Sequence, residues 1–486
     1  MAESWVNAAE ALGSDLHLEL AGAGGRRAAL MRALRDAIRG GRLAPGTRLP
    51  PYRSLAADLG IARNTVADAY AELVAEGWLT ARQGSGTRVA PRADPLPARR
   101  TGGARSSGDR ENAPRPVHNL LQGSPDAAAF PRTAWLASAR RALTAAPSEA
   151  FGPGDPHGRP ELRRALADYL ARARGVRTDP DRIVICSGFA HALRLLSGTR
   201  ALRHKAAVEA YGLDFHRSLL AAAGIRTVPL PLDEHGARTE ELATRRDLRG
   251  VTTVLLTPAH QFPTGGPLHP ERRATAVDWA RASGGLIVED DYDGEFRYDR
   301  RPVGAVQGLD PDRVLYVGSV SKSLSPALRL GWMVLPDALV DEALAAKGER
   351  EGWVSALDQL TLADFLESGG YDRHVRRMRQ RYRRRRDQLV AALAERAPHI
   401  RVSGIAAGLH AVLALPPGTE RSAVRAAARH GLALDGLADY RHPEATGPAA
   451  HDGLVVGYAA PPDHAFAGAL DALCRALPPG DSPTSR

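Results

Sequence analysis

Two short apolar runs that end in polar residues constrain the fold of this chain most strongly. The first spans residues 286–288 and ends in the acids of residues 289–291; the second spans residues 314–317 and ends in the sequence GSVSK. Short β-branched runs of this kind predict parallel strands that deliver polar side chains to the carboxyl edge of a sheet. Because ligands bind at that edge in open α/β sheets, we expect the functional site there.

The lysine that ends the second run is unusual in this chain. The sequence holds three lysines, Lys205, Lys322 and Lys347, and the rest of its 65 lysine and arginine residues are arginines. Lysine forms an imine and arginine does not, although three surviving lysines are also compatible with an accident of composition. Pyridoxal phosphate (PLP) needs a Schiff-base lysine, an acid for its pyridine nitrogen and a phosphate cup. The carboxylates of the first run and the hydroxyls around Lys322 suit that cofactor.

The stretch around Lys322 resembles the core of the fold-type-I aminotransferases, and the matching motifs are Asp290-x-Tyr292, Ser319-x-Ser321-Lys322 and Arg329-x-Gly331. The resemblance implies that Lys322 forms the Schiff base with PLP. It also implies that Asp290 pairs with the pyridine nitrogen and that Tyr292 bonds the phenolic oxygen. The residues that would hold the phosphate are Ser319, Ser321 and Arg329.

Two further segments of this region are candidates for cofactor contacts. A strand at residues 182–186 precedes Ser187-Gly188-Phe189-Ala190, and backbone N–H groups at such a helix start suit a phosphate. The predicted contacts there are Gly188, Phe189 and Ala190. The family commonly carries a polar residue near the cofactor oxygen in the loop of residues 257–265, where Gln261 is predicted for this role and His260 is the alternative. A structural role for His260 is an equally good interpretation.

The segment of residues 26–90 has the pattern of a winged helix-turn-helix. Helical spacing of apolar residues predicts two helices that end at Gly40 and Gly60, then a third helix at residues 64–76. A hairpin with a glycine tip at residues 84–86 follows. The sequences GRLAPG, RNTV, EGWL and GSGT within this segment resemble the GntR family of DNA-binding domains.

The charge of this segment suits DNA. Between Arg26 and Arg92 twelve arginines stand against five acids, an excess of +7 that favours phosphate contacts. Because a recognition helix places its first residues on base edges, the predicted base contacts are Arg63, Asn64 and Thr65. The predicted contacts to backbone or minor groove are Arg53, Gly84, Ser85, Gly86 and Thr87. Tyr52 stands where the family commonly has a small polar residue, and the alternative is a protein-interaction domain with a basic face.

These patterns predict an α/β chain with an N-terminal winged helix-turn-helix at residues 21–92 and a flexible linker at residues 93–117. An aminotransferase class I-like PLP-binding domain at residues 118–480 follows, with a large, mainly parallel sheet and a smaller α/β subdomain at about residues 336–480. The arginine-rich run of residues 373–386 is predicted to be a long amphipathic helix with a solvated basic face.

Composition limits the compartment and the partners. The net charge of +10 indicates an anionic partner. Two cysteines, Cys186 and Cys474, form neither a disulfide framework nor a zinc pattern. The sequence shows no signal peptide and no long apolar span, so we expect a cytoplasmic protein without a metal site.

A GntR-like domain joined to an aminotransferase-like domain resembles the MocR subfamily of GntR regulators. The resemblance implies a PLP-dependent transcription regulator that binds double-stranded operator DNA as a head-to-tail homodimer. The alternative is a PLP-dependent aminotransferase with a fused DNA-binding domain. Pro153 stands where the family's enzymes carry a tyrosine, and Val455 stands where they carry an arginine for the substrate carboxylate, a place that Arg441 is the candidate to fill. We therefore expect weak or absent transamination. PLP itself is then the expected signal, as in the PdxR-type regulators of vitamin B6 synthesis, and sensing of PLP plus an amine stays open.

Overall fold

The computed structural model describes residue 20 and residues 25–82, 86–91, 116–298, 303–348, 354–446 and 452–480. The chain divides into two compact units, residues 1–113 and residues 114–486. Most of the predicted linker, together with Gly84 and Ser85 of the predicted hairpin tip, lies outside the described residues.

The first unit consists of three helices followed by a hairpin. Its elements are α1 (Arg26–Arg39), α2 (Tyr52–Asp58), α3 (Arg63–Ala75), β1 (Leu79–Arg82) and β2 (Gly86–Val89). The two strands pair antiparallel, and leucines such as Leu30, Leu34 and Leu73 form a core between the helices. Three helices with a terminal hairpin confirm the predicted winged helix-turn-helix.

The second unit begins with a short strand and alternates strands with helices for most of its length. Its strands are β3 (His118–Asn119), β4 (Ile183–Cys186), β5 (Lys205–Glu209), β6 (Arg226–Leu230), β7 (Leu232–Asp233), β8 (Gly236–Ala237), β9 (Thr253–Leu256), β10 (Leu286–Asp290), β11 (Val314–Ser319), β12 (Gly331–Val334), β13 (Arg401–Ser403), β14 (His410–Ala414), β15 (Leu432–Ala433), β16 (Asp435–Gly436) and β17 (Gly453–Gly457). Its helices are α4 (Arg132–Ala145), α5 (Pro160–Arg174), α6 (Phe189–Ser197), α7 (Asp214–Ala222), α8 (Glu241–Thr244), α9 (Pro270–Ser283), α10 (Asp337–Lys347), α11 (Ala356–Glu367), α12 (Gly370–Arg396), α13 (Glu420–Arg429) and α14 (Asp463–Ala476).

Seven strands form the large sheet, in the order β4, β12, β11, β10, β9, β5, β6. Adjacent strands are parallel except at β12, which runs antiparallel to both of its neighbours. Helices cover both faces: α5 and α11 pack on one face, and α6 and α10 pack on the other. The strands are apolar on both faces because both are buried, and the predicted mainly parallel sheet is confirmed.

A second, antiparallel sheet has the order β13, β14, β17, β16. Its core includes side chains of α12, α13 and α14, such as Tyr382, Ala427 and Leu473. The helices α10 and α11 lie within the range predicted for the small subdomain, but Leu339 and Phe365 pack against the large sheet. The two hydrophobic cores therefore meet within α12 rather than near residue 336.

The arginine-rich run lies in α12, as predicted. Val375, Met378 and Tyr382 form its buried stripe, while Arg376 and Arg383 are exposed. In the part of the chain that the structure describes, no helix is long and apolar enough to cross a membrane.

Candidate functional site

A cavity of about 210 Å³ lies at the carboxyl edge of the large sheet. Apolar side chains such as Leu256, Phe262 and Val317 form much of its wall. Its polar and charged side chains are Gln122, Glu209, Tyr211, His216, Arg217, Thr257, Asp290, Tyr292, Ser319, Ser321, Lys322 and His410. Six residues predicted from the sequence thus line one cavity: Phe189, Asp290, Tyr292, Ser319, Ser321 and Lys322.

The amine of Lys322 is held inside this cavity. It donates a hydrogen bond to the carbonyl oxygen of Gly123. Burial lowers the pKa of Lys322, and the negative charges of Asp290 and Asp293 act in the opposite direction. A lowered pKa increases the fraction of neutral amine, which is the form that attacks an aldehyde. The site therefore suits a lysine that bonds covalently to a carbonyl compound.

Asp290 ends β10 next to the strand that leads to Lys322. Burial raises the pKa of Asp290 well above its usual value, the charge of Asp291 adds to this effect, and Lys322 opposes it. When burial makes a carboxyl group costly to ionise, a neighbouring cation or proton donor stabilises its ionised form strongly. Asp290 therefore fits a ligand with a protonated ring nitrogen.

Two backbone segments approach closely at the part of the candidate site where α6 begins. Gly188 has a φ of 101° and precedes Phe189, the first residue of α6. A Cβ atom at Gly331 would lie 2.8 Å from the Cα of Gly188, so glycine is required where these two segments meet. Ser319, Ser321 and Phe189 line the cavity, whereas Ala190 does not. Two hydroxyls and a helix start form a donor set that suits a phosphate.

Arg329, which was also predicted to hold the phosphate, is exposed and lies outside the lining of the cavity. Its backbone is left-handed, with a φ of 51°. Burial raises the pKa of Cys186 to about 11 and lowers that of His191, and the positive charge of Arg329 makes a smaller, lowering contribution to both of these residues near the start of α6. The guanidinium is thus near the predicted phosphate cup, and it makes no hydrogen bond or ion pair with the residues that the structure describes.

Gln261 is placed differently from the prediction. Its side-chain N–H groups donate to the carbonyl oxygens of Tyr211 and Phe262 at 3.0 and 2.6 Å, and its amide oxygen accepts from Thr264. It is buried and does not line the cavity. Its amide also donates to the lining residue Glu209 at 3.3 Å, so Gln261 supports its own loop and the wall of the cavity from outside. The alternative, His260, is also buried and pairs with Asp293 and Tyr292.

Glu209 lines the cavity and was missed in the sequence analysis. Its carboxylate accepts hydrogen bonds from the backbone N–H and the hydroxyl of Thr257, at 3.1 and 2.5 Å. Burial raises the pKa of Glu209 to about 7 against the effect of those donors. The signal was present, because Glu209 ends the apolar strand β5 just as Asp290 ends β10.

Neither of the two departures from the enzyme pattern lines the cavity, although Val455 packs against the lining residue Phe262. Val455 is buried in β17, where it packs with Phe262 and Tyr440, and Pro153 is exposed. Arg441 donates to the carbonyl oxygen of Ala445 at 3.0 Å and does not line the cavity.

Arg217 is the arginine that lines the cavity within the described part of the chain. Its guanidinium donates to the carbonyl oxygens of Gly212 and Tyr440 at 2.8 and 3.2 Å, and it pairs with Asp214 at 3.3 Å. These contacts engage both terminal nitrogens of the guanidinium, whereas its buried Nε has no hydrogen-bond partner within the described residues.

In the first unit, the predicted base contacts form the first turn of α3. Arg63 and Asn64 are exposed, and Arg53 is exposed on α2. The guanidinium of Arg63 lies 5.1 Å from the centre of the Tyr52 ring. Such stacking uses the flat face of the guanidinium, so its N–H edges stay available for a base. Gly86 and Thr87 of the predicted tip lie in β2.

Family comparison supports both halves of this description. The model of the gntR family of bacterial regulatory proteins matches residues 27–89, and the model of aminotransferase class I and II matches residues 116–434. The HTH-type pyridoxine biosynthesis transcriptional regulator PdxR of Corynebacterium glutamicum is 32% identical over 88% of this chain and 91% of its own length. The rhizopine catabolism regulatory protein MocR of Rhizobium meliloti is 36% identical over 74% of this chain and 76% of its own length.

Solved structures show the fold of the larger unit. A kynurenine aminotransferase of Pyrococcus horikoshii superposes with a TM-score of 0.68 at 22% identity. The match covers 78% of this chain and 96% of that chain.

The stacking of Tyr52 under Arg63 generates a prediction about DNA binding. Replacing Tyr52 with Ser frees the guanidinium, and we expect the affinity for specific DNA to fall by about two- to fivefold, the usual size of an exposed cation–π contact. Replacing Arg63 with Ala should weaken the free energy of specific DNA binding by about 1–3 kcal/mol. Binding is measured by fluorescence anisotropy on a duplex selected from random DNA by the wild-type protein.

Tyr52→Phe is the matched control, because it keeps the ring and should bind like the wild type. In the Arg63→Ala background, Tyr52→Ser should have no further effect. An equal loss with and without Arg63 would show that Tyr52 acts on DNA by another route.

Proposed function

Because this chain belongs to the MocR-type transcription regulators, in which a GntR DNA-binding domain is joined to an aminotransferase class I and II domain, we propose that PLP bound at Lys322 is the signal that sets its DNA binding. The observation that carries the proposal is the buried amine of Lys322 in one cavity with Asp290 and Tyr292. The relative named for pyridoxine biosynthesis supports PLP as the signal.

The residues present fit PLP in their chemistry. Lys322 supplies the amine, Asp290 supplies a half-buried acid, and Ser319, Ser321 and the start of α6 supply donors for a phosphate. When bound, PLP contributes an aldehyde for the lysine and a ring that withdraws electrons. Asp290 would hold the proton at the ring nitrogen of bound PLP, and Arg329 would add a positive charge near its phosphate.

The wall of the cavity favours PLP itself over an amino-acid substrate. An amino acid needs a cation for its carboxylate, and both terminal nitrogens of the lining arginine, Arg217, already bond to Asp214 and two carbonyl oxygens, which leaves only its Nε. Val455 adds no charge there. A ligand held by Lys322, Asp290 and a phosphate cup needs no such anchor, so the cavity suits a sensor better than a transaminase.

The proposal includes a head-to-tail homodimer. Large apolar side chains of the second unit, including Leu136, Phe151 and Phe215, are more than half exposed. Exposed apolar surface of this kind is a common feature of protein interfaces. Two DNA-binding domains per dimer would read two half-sites of one operator.

The attachment of PLP to Lys322 is tested by spectroscopy and labelling. The protein mixed with PLP should develop a visible absorbance, and borohydride should fix the cofactor on Lys322 as identified by peptide mass. Lys322→Ala should lose both signals because no other lysine lines the described cavity. Lys205→Ala is the matched control and should behave like the wild type, since Lys205 bonds to the carbonyl oxygen of Arg249 on the surface. An unchanged spectrum in Lys322→Ala would refute the assignment.

The regulatory role is tested by a gel-shift titration of the selected DNA duplex with and without PLP. We expect PLP alone to change the affinity of the wild type by about 5- to 150-fold, the usual range of allosteric coupling. Lys322→Ala should show no change. A response that requires an added amine would point to an amine sensor. Rapid conversion of the PLP-loaded protein by common amino acids would point to an aminotransferase.

A further inference from the structure

Three buried or half-buried side chains form a short chain of contacts beside Lys322. The Nδ1 atom of His260 lies 2.8 Å from a carboxylate oxygen of Asp293 and 3.0 Å from the hydroxyl of Tyr292. Asp293 is 2% exposed and His260 is 3% exposed, so water does not replace these partners. Tyr292 lines the cavity, whereas Asp293 and His260 stand behind it.

The protonation of Nδ1 of His260, which contacts both Asp293 and Tyr292, determines the direction in which the Tyr292 hydroxyl donates its proton. An ionised carboxylate accepts hydrogen bonds and donates none, so the short contact to Asp293 requires a proton on Nδ1 of His260. A protonated Nδ1 donates and cannot accept. The hydroxyl of Tyr292 therefore cannot donate to His260, and its oxygen can share the Nδ1 proton as an acceptor. The proton of Tyr292 is left to be donated into the cavity.

We propose that Asp293 and His260 are positioning residues that turn Tyr292 into a hydrogen-bond donor toward the ligand in the cavity. The acceptor is the phenolic oxygen of PLP, so this inference rests on the proposed function. Asp293 and His260 act through Tyr292 and do not themselves touch the ligand.

The surrounding packing holds this arrangement in place. Gly408 has a φ of 73°, and a Cβ atom there would lie 2.3 Å from a ring carbon of His260 and 2.5 Å from Asp293. The ring of Phe262 packs edge-on against Tyr292, with centres 5.8 Å apart. The neighbouring ring of His410, 5.2 Å from that of His260, bonds to the carbonyl oxygen of Pro263. Burial lowers the pKa of His410 to about 4, so it brings no positive charge at neutral pH.

Other charges also act on the Lys322 nitrogen and must be separated from this effect. The titratable and charged side chains around it come from β10 and the turn after it, from β5 and the residues after it, and from α7 and β14. They are Asp290, Tyr292, Asp293, Glu209, Tyr211, His216, Arg217 and His410. The carboxylate of Asp293 raises the pKa of Lys322. Removing Asp293 thus removes a charge as well as a partner of His260, and the two effects have opposite signs.

The test is a pH titration of the visible absorbance of PLP-loaded protein, which reports the proton on the Lys322–PLP linkage. In Asp293→Ala, Nδ1 of His260 is free to accept from Tyr292, and the phenolic oxygen loses its donor. That oxygen then carries more negative charge and holds the shared proton more tightly. We expect the midpoint to rise by about one pH unit or more, as for loss of a hydrogen bond to a charged group. Loss of the Asp293 charge alone would lower it.

Tyr292→Phe removes the donor itself. The rise of the pH midpoint in this variant is therefore the largest that this mechanism allows. In the Tyr292→Phe background, Asp293→Ala should produce no rise, because the residue through which it acts is gone. His260→Gln is the second variant if Asp293→Ala does not fold. Its amide N–H pairs with Asp293 and its oxygen accepts from Tyr292, so the midpoint should rise with the Asp293 charge retained.

The outcomes separate this inference from the proposed function. A PLP-dependent band in the wild type whose midpoint falls or stays unchanged in these variants would overturn the role of Asp293 and His260 alone. A rise of equal size with and without the Tyr292 hydroxyl would also overturn it. If PLP produced no visible band in the wild type, both this inference and the proposed function would fail.

Discussion

The parallel pairing of β10 with β11 is the constraint on which the rest of the site depends. Asp290 lies opposite Val317 in this register, so both strands end at the same edge of the sheet. The segment that follows β10 is also held by a helix, because Arg174 of α5 forms a buried ion pair of 2.6 Å with Asp291. Tyr316 donates to the same carboxylate at 2.7 Å. Removing one partner of such a pair leaves a buried charge and typically costs about 3–5 kcal/mol. Strand pairing and this ion pair together hold Asp290, Tyr292 and Asp293 at fixed positions.

A rigid edge of this kind gives the cavity its electrostatic character. Burial raises the pKa values of Asp290 and Glu209 and lowers that of Lys322, which favours neutral forms of all three. A ligand with a protonated ring nitrogen can pair with Asp290, and its aldehyde can react with the neutral amine of Lys322. A ligand shifts a conformational equilibrium only through unequal affinity for the two conformations. Groups that are costly to ionise without a partner are a physical source of such a difference, and this links the chemistry of the site to regulation.

The sequence predicted those parts of the molecule that local patterns determine. Apolar runs that end in polar residues located β10 and β11, and glycine with apolar spacing located the three helices of the first unit. Side-chain partners that are distant in the chain were not predicted. Gln261 bonds to the carbonyl oxygen of Tyr211, fifty residues away, and to the lining residue Glu209, and it does not itself line the cavity. The packing of α10 and α11 on the large sheet depends in the same way on contacts that no local pattern contains.

The central claim is that PLP and operator DNA bind to coupled sites, and coupling between binding sites is reciprocal. The most direct measurement is therefore the affinity of the protein for PLP, followed by its visible absorbance, with and without a saturating operator duplex. We expect the duplex to change the dissociation constant of PLP by the same factor by which PLP changes DNA affinity, and a scrambled duplex to leave it unchanged. An identical PLP affinity in all three conditions, with both ligands shown to bind, would contradict the account.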